Sequence, residues 1–231
     1  MNIKEKKPLV VIAGLGKGLG LELAVFFVNK GYRVIGLNRN TIGADENTII
    51  EYIVDLNDEV AVNKVASLIF SKYGIPEVLI HNTQQLVIAE FEKTSAIQFE
   101  ACWRSIVLSA FLFSQTFLPE MAKRGCGSLI VSGATASIRG GANFSAFSSA
   151  KFALRGLTQS LARSYQQKGI HVAHVLLDGI INTDNSRELH QMSSDKMMQP
   201  NDIANVYWQI INQTKSVWTH ELDLRPATEN F

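Results

Sequence analysis

Short apolar runs alternate along the chain with longer stretches in which apolar positions recur every three or four residues. Short runs of this kind predict buried β-strands, and the longer pattern predicts amphipathic helices. The predicted strands are LVVIAG (9–14), YRVIGL (32–37), TIIEYIV (48–54), EVLIHN (77–82), SLIVSG (128–133), HVAHVLLD (171–178) and ELDL (221–224). The predicted helices cover 18–30, 58–73, 96–123, 144–168 and 201–213. Strands and helices therefore alternate, which is typical of an α/β fold.

Strands as apolar as these are buried on both faces, and such burial is typical of a parallel sheet covered by helices. The pattern predicts one α/β domain with a doubly wound, mostly parallel sheet and helices on both faces, the Rossmann fold. In the first helix, one face is predicted to carry Leu19, Leu23, Phe26 and Phe27. Ligands of such sheets bind beyond the carboxyl ends of the strands, so the candidate chemistry is expected there.

Charge and composition narrow the classes of partner. The 231 residues include 22 Lys and Arg against 21 Asp and Glu, a net charge of +1, which provides no field for nucleic acid or an anionic membrane. The longest uncharged stretch, Ser105 to Pro119, is shorter than the ~20 apolar residues of a membrane helix. The polar start, MNIKEKK, resembles no secretory signal, and Cys102 and Cys126 lack metal-binding spacing. We therefore expect a reduced cytoplasmic protein without a structural metal, and neither nucleic acid nor membrane as partner.

The segment AGLGKGLG (13–20) lies between the first predicted strand and the first predicted helix. Glycines allow a backbone to approach a pyrophosphate closely, and a helix N-terminus offers unpaired N–H groups and the positive end of a dipole. A glycine cluster can also be no more than a tight turn. The strand–turn–helix context favours a dinucleotide site.

Five segments, taken in order, resemble motifs of the short-chain dehydrogenases/reductases. The glycines at 14, 18 and 20 match the family's T-G-x-x-x-G-x-G loop, with Ala13 in place of the threonine. The other segments are Asp55-Leu56, HNTQ (81–84), the SGA…FSSAK block (132–151) and LLDGIINT (176–183). HNTQ departs from the family's N-N-A-G, with Gln84 in place of a glycine. The resemblance covers nearly the whole chain and implies a bound nicotinamide dinucleotide. The residues implied to bind it are Gly14, Lys17, Gly18, Leu19, Gly20, Asn38, Arg39, Asp55, Leu56, Asn82, Lys151, Gly179 and Thr183.

The residues after the second strand indicate which dinucleotide is preferred. An NAD site places a carboxylate there for the ribose 2′-OH, whereas an NADP site offers a cation to the 2′-phosphate. This chain has Asn38-Arg39 and no acid, and Lys17 lies inside the glycine loop. The two cations can be ordinary solvated side chains, but together they resemble the basic pair of NADP-preferring members. NADP(H) is therefore predicted over NAD(H). By resemblance, Asp55 receives the adenine amine and Asn82 lines the adenosine ribose.

The block 127–157 resembles the family's reaction centre with its reacting groups replaced. In the family a Tyr, four residues before a Lys, donates the proton, and the Lys lowers the pKa of its phenol. A Ser binds the substrate oxygen, and an Asn on the long helix holds a water that relays protons. Alignment on Lys151 places Phe147, Ala134 and Ile106 at the Tyr, Ser and Asn positions. A benzyl ring cannot donate a proton and a methyl cannot bind an oxyanion, so the family's mechanism cannot run unchanged.

Lys151 is the one member of this set that is retained. Because residues four apart share a helix face, its ammonium and the ring of Phe147 are predicted to point into one cleft. An exposed helix lysine is the alternative, which the matching neighbourhood disfavours.

Other polar groups are candidates for the missing donor. Thr135, Ser137 and Ser148 lie nearby, but a hydroxyl with an ordinary pKa is a poor acid, so they fit better as substrate or water anchors. His81 ends a strand, and Asp178 stands where the family has a proline. His81 can also be a core histidine, and Asp178 can be a loop cap.

Residues 184–200 occupy the place of the family's substrate lid, where Met192, Met197 and Met198 would form an adaptable apolar wall. A mobile connection with methionines as gap fillers is the alternative. Three functions stay open: an NADP-dependent oxidoreductase for an unidentified carbonyl or alcohol with a weakened or displaced donor, an NADP-binding sensor without turnover, and a silent subunit of an active relative. The retained lysine, glycine loop and basic pair favour the first.

By resemblance, the helices 96–123 and 144–168 pack against their copies, so a homodimer or homotetramer is predicted. Both helices contain small residues that permit close approach. These are Ser105, Ser109, Ala110, Ala150 and Ala153. The alternative is that these faces cover the sheet.

Overall fold

The computed structural model describes residues 7–228. Its strands are β1 (Leu9–Ala13), β2 (Arg33–Asn38), β3 (Ile49–Ile53), β4 (Val78–His81), β5 (Gly127–Ser132), β6 (Ile170–Leu177) and β7 (Glu221–Leu224). Within the described residues they form one sheet in the order β3-β2-β1-β4-β5-β6-β7, and every pair is parallel. The strand order reverses between β1 and β4, which opens a crevice at their carboxyl ends. The predicted doubly wound sheet is confirmed.

Helices cover both faces of this sheet. They are α1 (Leu19–Asn29), α2 (Glu59–Tyr73), α3 (Ala96–Trp103), α4 (Ser109–Arg124), α5 (Ser145–Tyr165), α6 (Asp184–His190) and α7 (Pro200–Ile211). In one core cluster, the helices α2, α3, α4 and α5 pack against the sheet. In the other, α1 and α7 pack against it. In α1, Leu19, Leu23 and Phe27 are buried as predicted. Phe26 is only partly buried, and its ring contacts the ring of Phe27 edge-on.

The predicted long helix over 96–123 is confirmed as the continuous helical stretch Ala96–Arg124, and a π-helical turn, Arg104–Leu108, lies within it between α3 and α4. The N–H of Ser109 donates to the carbonyl of Arg104, five residues back. The carbonyl of Ser105 accepts instead the hydroxyls of Thr83 and Ser109, each at 2.6 Å. Two side-chain hydroxyls thus replace the helical partner of this carbonyl, which is how such a turn is tolerated inside a core.

The continuous helical stretch Ala96–Arg124 is long and apolar enough, by length and composition, to cross a membrane. In this fold its inner face covers the sheet, with Phe113, Phe117 and Leu118 fully buried. Burial against a sheet accounts for the apolar composition of this stretch.

The small residues expected at an interface between copies face the interior instead. Ser105, Ser109, Ala110 and Ala150 are buried inside the chain, and Ala153 is partly buried. That part of the oligomer prediction is wrong, because these residues let α3, α4 and α5 approach one another and the sheet. The same helices expose aromatic side chains, which we call the aromatic stripe. Its members are Phe99, Trp103, Phe111 and Phe152.

Candidate active site

The glycine loop between β1 and α1 has the shape of an anion cradle. Gly14 has a φ of +88°, and a Cβ there would lie 2.8 Å from the backbone carbonyl of Asn82. Gly20 abuts the carbonyl of Gly14, so a side chain at either position would push the loop apart. Gly16 has no atom within 4 Å of a Cβ position, and α1 begins at Gly18 without a side-chain cap. The first-turn N–H groups are therefore not engaged by a side chain at Gly18.

Two asparagine side chains form hydrogen bonds with the backbone of this loop. The side-chain oxygen of Asn38 accepts the N–H of Leu15 at 2.7 Å, and the amide of Asn82 donates to the carbonyl of Gly14 at 3.3 Å. Thr183 lies on the other side of the loop, because a Cβ on Gly18 would lie 3.1 Å from its methyl group. Thr183 also caps α6 by accepting the N–H of Ser186. The structure thus places Thr183, the last residue of the predicted cofactor-binding set, next to the glycine loop that contains the first, Gly14.

Lys17 in this loop and Arg39 after β2 are exposed, and a carboxylate that the pattern did not indicate contacts Asn38 and the loop after β2. Glu51 on β3 accepts the N–H groups of Ile42 (3.0 Å) and Ala44 (2.8 Å), and the Asn38 amide reaches it at 3.4 Å. Burial alone would raise the pKa of Glu51, but these donors outweigh burial and lower it. The carboxylate therefore anchors the loop that follows β2. Its signal in the sequence was a single acid within the apolar run TIIEYIV.

The remaining predicted cofactor residues occupy varied positions. Asp55 is exposed and accepts the N–H of Asn57 at 2.9 Å, whereas Leu56 is buried in the core. A Cβ on Gly179 would lie 2.6 Å from the side chain of Pro226, so this glycine permits a close crossing of two segments. Contact of these residues with a nucleotide stays a prediction.

Lys151 is buried beside the replaced tyrosine position. Its ammonium donates to the carbonyl of Ser132 at 2.9 Å and lies 5.7 Å from the centre of the Phe147 ring, which confirms the geometry predicted from their spacing. Within residues 7–228 no carboxylate forms an ion pair with this ammonium. Burial lowers the pKa of Lys151 to about 8. An ammonium has three donors, so two remain for oxygen atoms that enter the cleft.

The other replaced positions join the same apolar wall. Ile106 is fully buried in the π-helical turn, and Phe147 is 7% exposed. Ala134 is partly buried and packs against the same core cluster. Phe147 thus lies next to Lys151, and Ile106 and Ala134 belong to or pack against the same core cluster. None of the three side chains can donate a proton, and their correspondence to the Tyr, Ser and Asn positions stays a prediction.

Neighbouring hydroxyls are mostly engaged elsewhere. Thr135 donates to the Asp178 carboxylate, and Ser137 accepts the N–H of Ala134 at 3.1 Å while facing His174 at 3.4 Å. The hydroxyl of Ser148 is buried and has no hydrogen-bond partner among the described residues. Ser148 is therefore the one of the three hydroxyls proposed as anchors that is not already engaged.

His81 and Asp178 do not serve as the missing acid. His81 lies 2.9 Å from the hydroxyls of both Ser109 and Thr83, and burial, with the nearby Lys151 charge, lowers its pKa to about 3. It is therefore a neutral core histidine at pH 7. The oxygens of Asp178 are taken by the Thr135 hydroxyl and by Arg225, whose guanidinium lies 3.3 Å away.

The predicted lid region contains α6 and a short 3₁₀ turn, Ser194–Lys196. Met197 and Met198 are buried, and Met198 belongs to the core cluster around α1 and α7. A cavity of about 410 Å³ lies between this segment and the end of β7, with both methionines and Arg225 in its wall. Whether the segment covers a substrate stays a prediction.

Comparison with known proteins identifies the family. Residues 8–194 match the family model described as short chain dehydrogenase. The chain belongs to this family. The 3-oxoacyl-(acyl-carrier-protein) reductase FabG of Salmonella typhimurium is a curated short-chain relative, 26% identical over 196 residues that cover 78% of this chain and 76% of the relative.

Three solved structures have the same fold, and the first of them is a short-chain dehydrogenase. The enzyme from Rhodopseudomonas palustris is 31% identical, with a TM-score of 0.80 over 95% of this chain and 98% of its own. ElxO with NADP bound is 24% identical, with a TM-score of 0.86 over 95% and 98%. An ElxO variant with a tyrosine replaced by phenylalanine, with NADPH bound, is also 24% identical, with a TM-score of 0.85 over 94% and 96%.

Proposed function

We propose that this short-chain dehydrogenase is an NADP(H)-dependent oxidoreductase that interconverts a carbonyl compound and an alcohol with a weakened proton donor. Its relatives include a reductase and a structurally characterised dehydrogenase, which supports an enzyme of the same class. An NADP-binding sensor or regulatory subunit is the second candidate, because all three positions that handle protons carry apolar side chains. We also propose a cytoplasmic location, since both cysteines are free.

The observation that carries the proposal is the buried, uncompensated ammonium of Lys151. A buried charge without a counter-ion is costly, and burial already lowers the pKa of this lysine to about 8. A lysine that served only the core would be replaced without loss by an apolar residue of similar length. One of its two unused donors fits a ribose hydroxyl of a nicotinamide nucleotide, and the other is left for a water. The glycine loop and the start of α1, which has no side-chain cap, would hold the phosphates of that nucleotide.

Each side chain of the cleft has a definite task in this proposal. When bound, the reduced nicotinamide supplies the hydride. Lys151 would orient the ribose. It is the ionisable group beside the Phe147 ring, and its pKa is about 8, so its ammonium would pass a proton through a water to the substrate oxygen. Phe147 and Ile106 exclude bulk water and contribute no proton. Loss of one positioned acid lowers rates by roughly 10²–10⁴, so slow turnover is expected.

The preference for NADP(H) is proposed from the cations beside the adenosine end. Lys17 and Arg39 are exposed there, and the nearby carboxylate of Glu51 is held by backbone donors of its own loop. A carboxylate engaged in this way is not offered to a ribose 2′-OH, whereas the cations are free to meet a 2′-phosphate. The ElxO structures with NADP and with NADPH in a phenylalanine variant are consistent with a phosphorylated dinucleotide in this fold.

The test is thermal denaturation of the full-length protein with NADPH and with NADH at equal concentration. A ligand that binds only the folded state stabilises it, by about 2.7 kcal/mol at 100 times its Kd. We expect the larger rise in Tm with NADPH, and we expect Lys17→Ala combined with Arg39→Ala to remove most of the difference. The control is Lys64→Ala, an exposed lysine on α2.

Equal stabilisation by the two nucleotides would contradict the NADP(H) preference while leaving a cofactor site in place. No stabilisation by either nucleotide would contradict both the oxidoreductase and the sensor, and would leave the silent-subunit function.

A further inference from the structure

A charged cluster that the proposed mechanism does not use lies at the carboxyl edge of the sheet. It combines residues from three consecutive strand ends. Arg139 follows the short turn after β5, Asp178 follows β6, and Arg225 follows β7. In a doubly wound fold, this edge is where ligands bind.

Two members of the cluster are committed to each other. Asp178 is 4% exposed, and its carboxylate accepts the Thr135 hydroxyl and lies 3.3 Å from the guanidinium of Arg225. Arg225 also forms an ion pair with Asp223. Arg225 is therefore held between two carboxylates, and it acts as a brace between β6 and β7.

Arg139 differs from Arg225 in its exposure and in its partners. Its side chain is 56% exposed, and its guanidinium approaches Asp178 only at 3.9 Å, on the oxygen that already accepts the Thr135 hydroxyl. No other acidic side chain in residues 7–228 forms an ion pair with it. A guanidinium is a planar fork that binds a carboxylate through two parallel hydrogen bonds. This fork is left largely unused by the folded chain.

The position of Arg139 places that fork beside the reaction centre. The turn that precedes it, Thr135–Ser137, begins directly after Ala134 and packs on α5, which carries Phe147 and Lys151. Arg139 therefore lies in the segment that runs from Ala134 to α5, the helix that carries Phe147 and Lys151. A neutral ketone would leave the guanidinium of Arg139 with only its long contact to Asp178.

We propose that Arg139 binds the carboxylate of an anionic substrate, so that the cleft takes oxo acids or the corresponding hydroxy acids. The inference rests on the proposed function, because it names the substrate class of the same cleft. The contact with Asp178 limits the directions open to the guanidinium, and Arg139 would then determine specificity.

The test uses two compounds that differ only in the anion. Phenylpyruvate carries a carboxylate where 1-phenylpropan-2-one carries a methyl group. Each is titrated calorimetrically into the full-length protein saturated with NADP⁺, which has no hydride to give. We expect phenylpyruvate to bind about tenfold more tightly than the ketone, as one charge-assisted bidentate contact provides. Arg139→Gln should bring the two affinities within twofold of each other.

The control variant is Arg163→Gln, which removes an equal charge from the exposed last turn of α5, where the guanidinium donates to the Gln159 carbonyl at 3.2 Å. It should keep the tenfold preference. A preference that survives Arg139→Gln, or that Arg163→Gln also removes, would show that general charge and not this site attracts the acid.

Binding of NADP⁺, the first step of the experiment, distinguishes failure of the cofactor proposal from failure of the anion site. If NADP⁺ does not bind, the proposed function fails, and the same pair is titrated into the cofactor-free protein. If the cofactor-free protein prefers phenylpyruvate and Arg139→Gln removes that preference, the anion site is still supported. Equal binding of the two compounds, or no binding of phenylpyruvate to either form, overturns it.

Discussion

Lys151 shows how one side chain can be unfavourable for the fold and useful for the site. Its folded-state pKa of about 8 lies below its ordinary value of 10.5. The unfolded chain therefore binds more protons between about pH 8 and 10.5, and this residue makes stability rise with pH across that window. Below pH 8 the full cost of the buried ammonium is present.

The first residue-scale prediction concerns Lys151→Met. Removing the buried charge should raise the free energy of unfolding of the cofactor-free protein at pH 7 by about 1–3 kcal/mol, as the lowered pKa implies. It should also flatten the rise in stability between pH 8 and 10.5 and weaken NADPH binding. Denaturant titration and NADPH fluorescence measure these effects. Lys64→Met, on the exposed side of α2, should change neither quantity. An unchanged NADPH affinity in Lys151→Met would contradict the assigned role.

The second residue-scale prediction restores the lost acid. Turnover of ketones and aldehydes with NADPH should be at least ~10²-fold below that of an ordinary reductase, which is the smallest effect of one positioned acid. Phe147→Tyr combined with Ala134→Ser should recover measurable turnover, because Lys151 is already close enough to lower the pKa of the new phenol. The measurement is NADPH oxidation over a panel of carbonyl compounds and oxo acids.

The single variants serve as the controls for this experiment. Each should recover less than the double variant, since such groups act as a unit. Brisk turnover by the native chain would refute the interpretation of Phe147 as a lost acid. If neither the native chain nor the double variant oxidises NADPH, although both bind it, the sensor function would be favoured.

At the scale of elements, two glycines of the loop allow its role in stability and its role in NADPH binding to be tested separately. Gly14→Ala should destabilise the protein by several kcal/mol, because its φ is positive and a Cβ meets the Asn82 backbone at 2.8 Å. Gly16→Ala meets no atom within 4 Å, so it should fold with an unchanged Tm. It should nevertheless weaken NADPH binding at least tenfold if phosphates approach this backbone. Full NADPH affinity in Gly16→Ala would place the phosphates elsewhere.

The π-helical turn is the element that pattern alone could not reveal. The apolar period runs through 96–123 without a break, and the turn depends on hydroxyls from Thr83 and Ser109 that meet one carbonyl. Only after the strand β4 is placed beside this helix does Thr83 come within 2.6 Å of that carbonyl. Helix periodicity reports buried faces and carries little information on such local exchanges of partners.

At the scale of the whole molecule, the aromatic stripe supports association of two copies. We propose a homodimer or homotetramer through it, because Trp103, Phe111 and Phe152 are each about 40% exposed on neighbouring helices. Phe111→Glu should yield a monomer by light scattering at micromolar concentration, with little loss of Tm in that monomer. Val60→Glu, at an equally apolar exposed position on α2, should leave the assembly unchanged. A monomeric native chain would contradict the proposal.

The fold class follows from the sequence alone, and so does the apolar character of the side chains at positions 106, 134 and 147. Apolar periodicity reports which side chains are buried, so strands and helices lay within a few residues of their predicted bounds. That residue 147 carries a benzyl ring, which cannot donate a proton, is known without coordinates. The four-residue spacing of Phe147 and Lys151 is likewise local, and the helix preserves it.

Tertiary structure decided every feature that joins distant segments. It alone shows Glu51 beside Asn38 and Arg139 beside Asp178, and it alone shows that no carboxylate among residues 7–228 pairs with Lys151. It also turned the small residues of α4 and α5 inward and left aromatic ones outside. Partners of this kind depend on which strands become neighbours and how helices rotate upon them. That choice follows from packing of the whole core, and no local pattern encodes it.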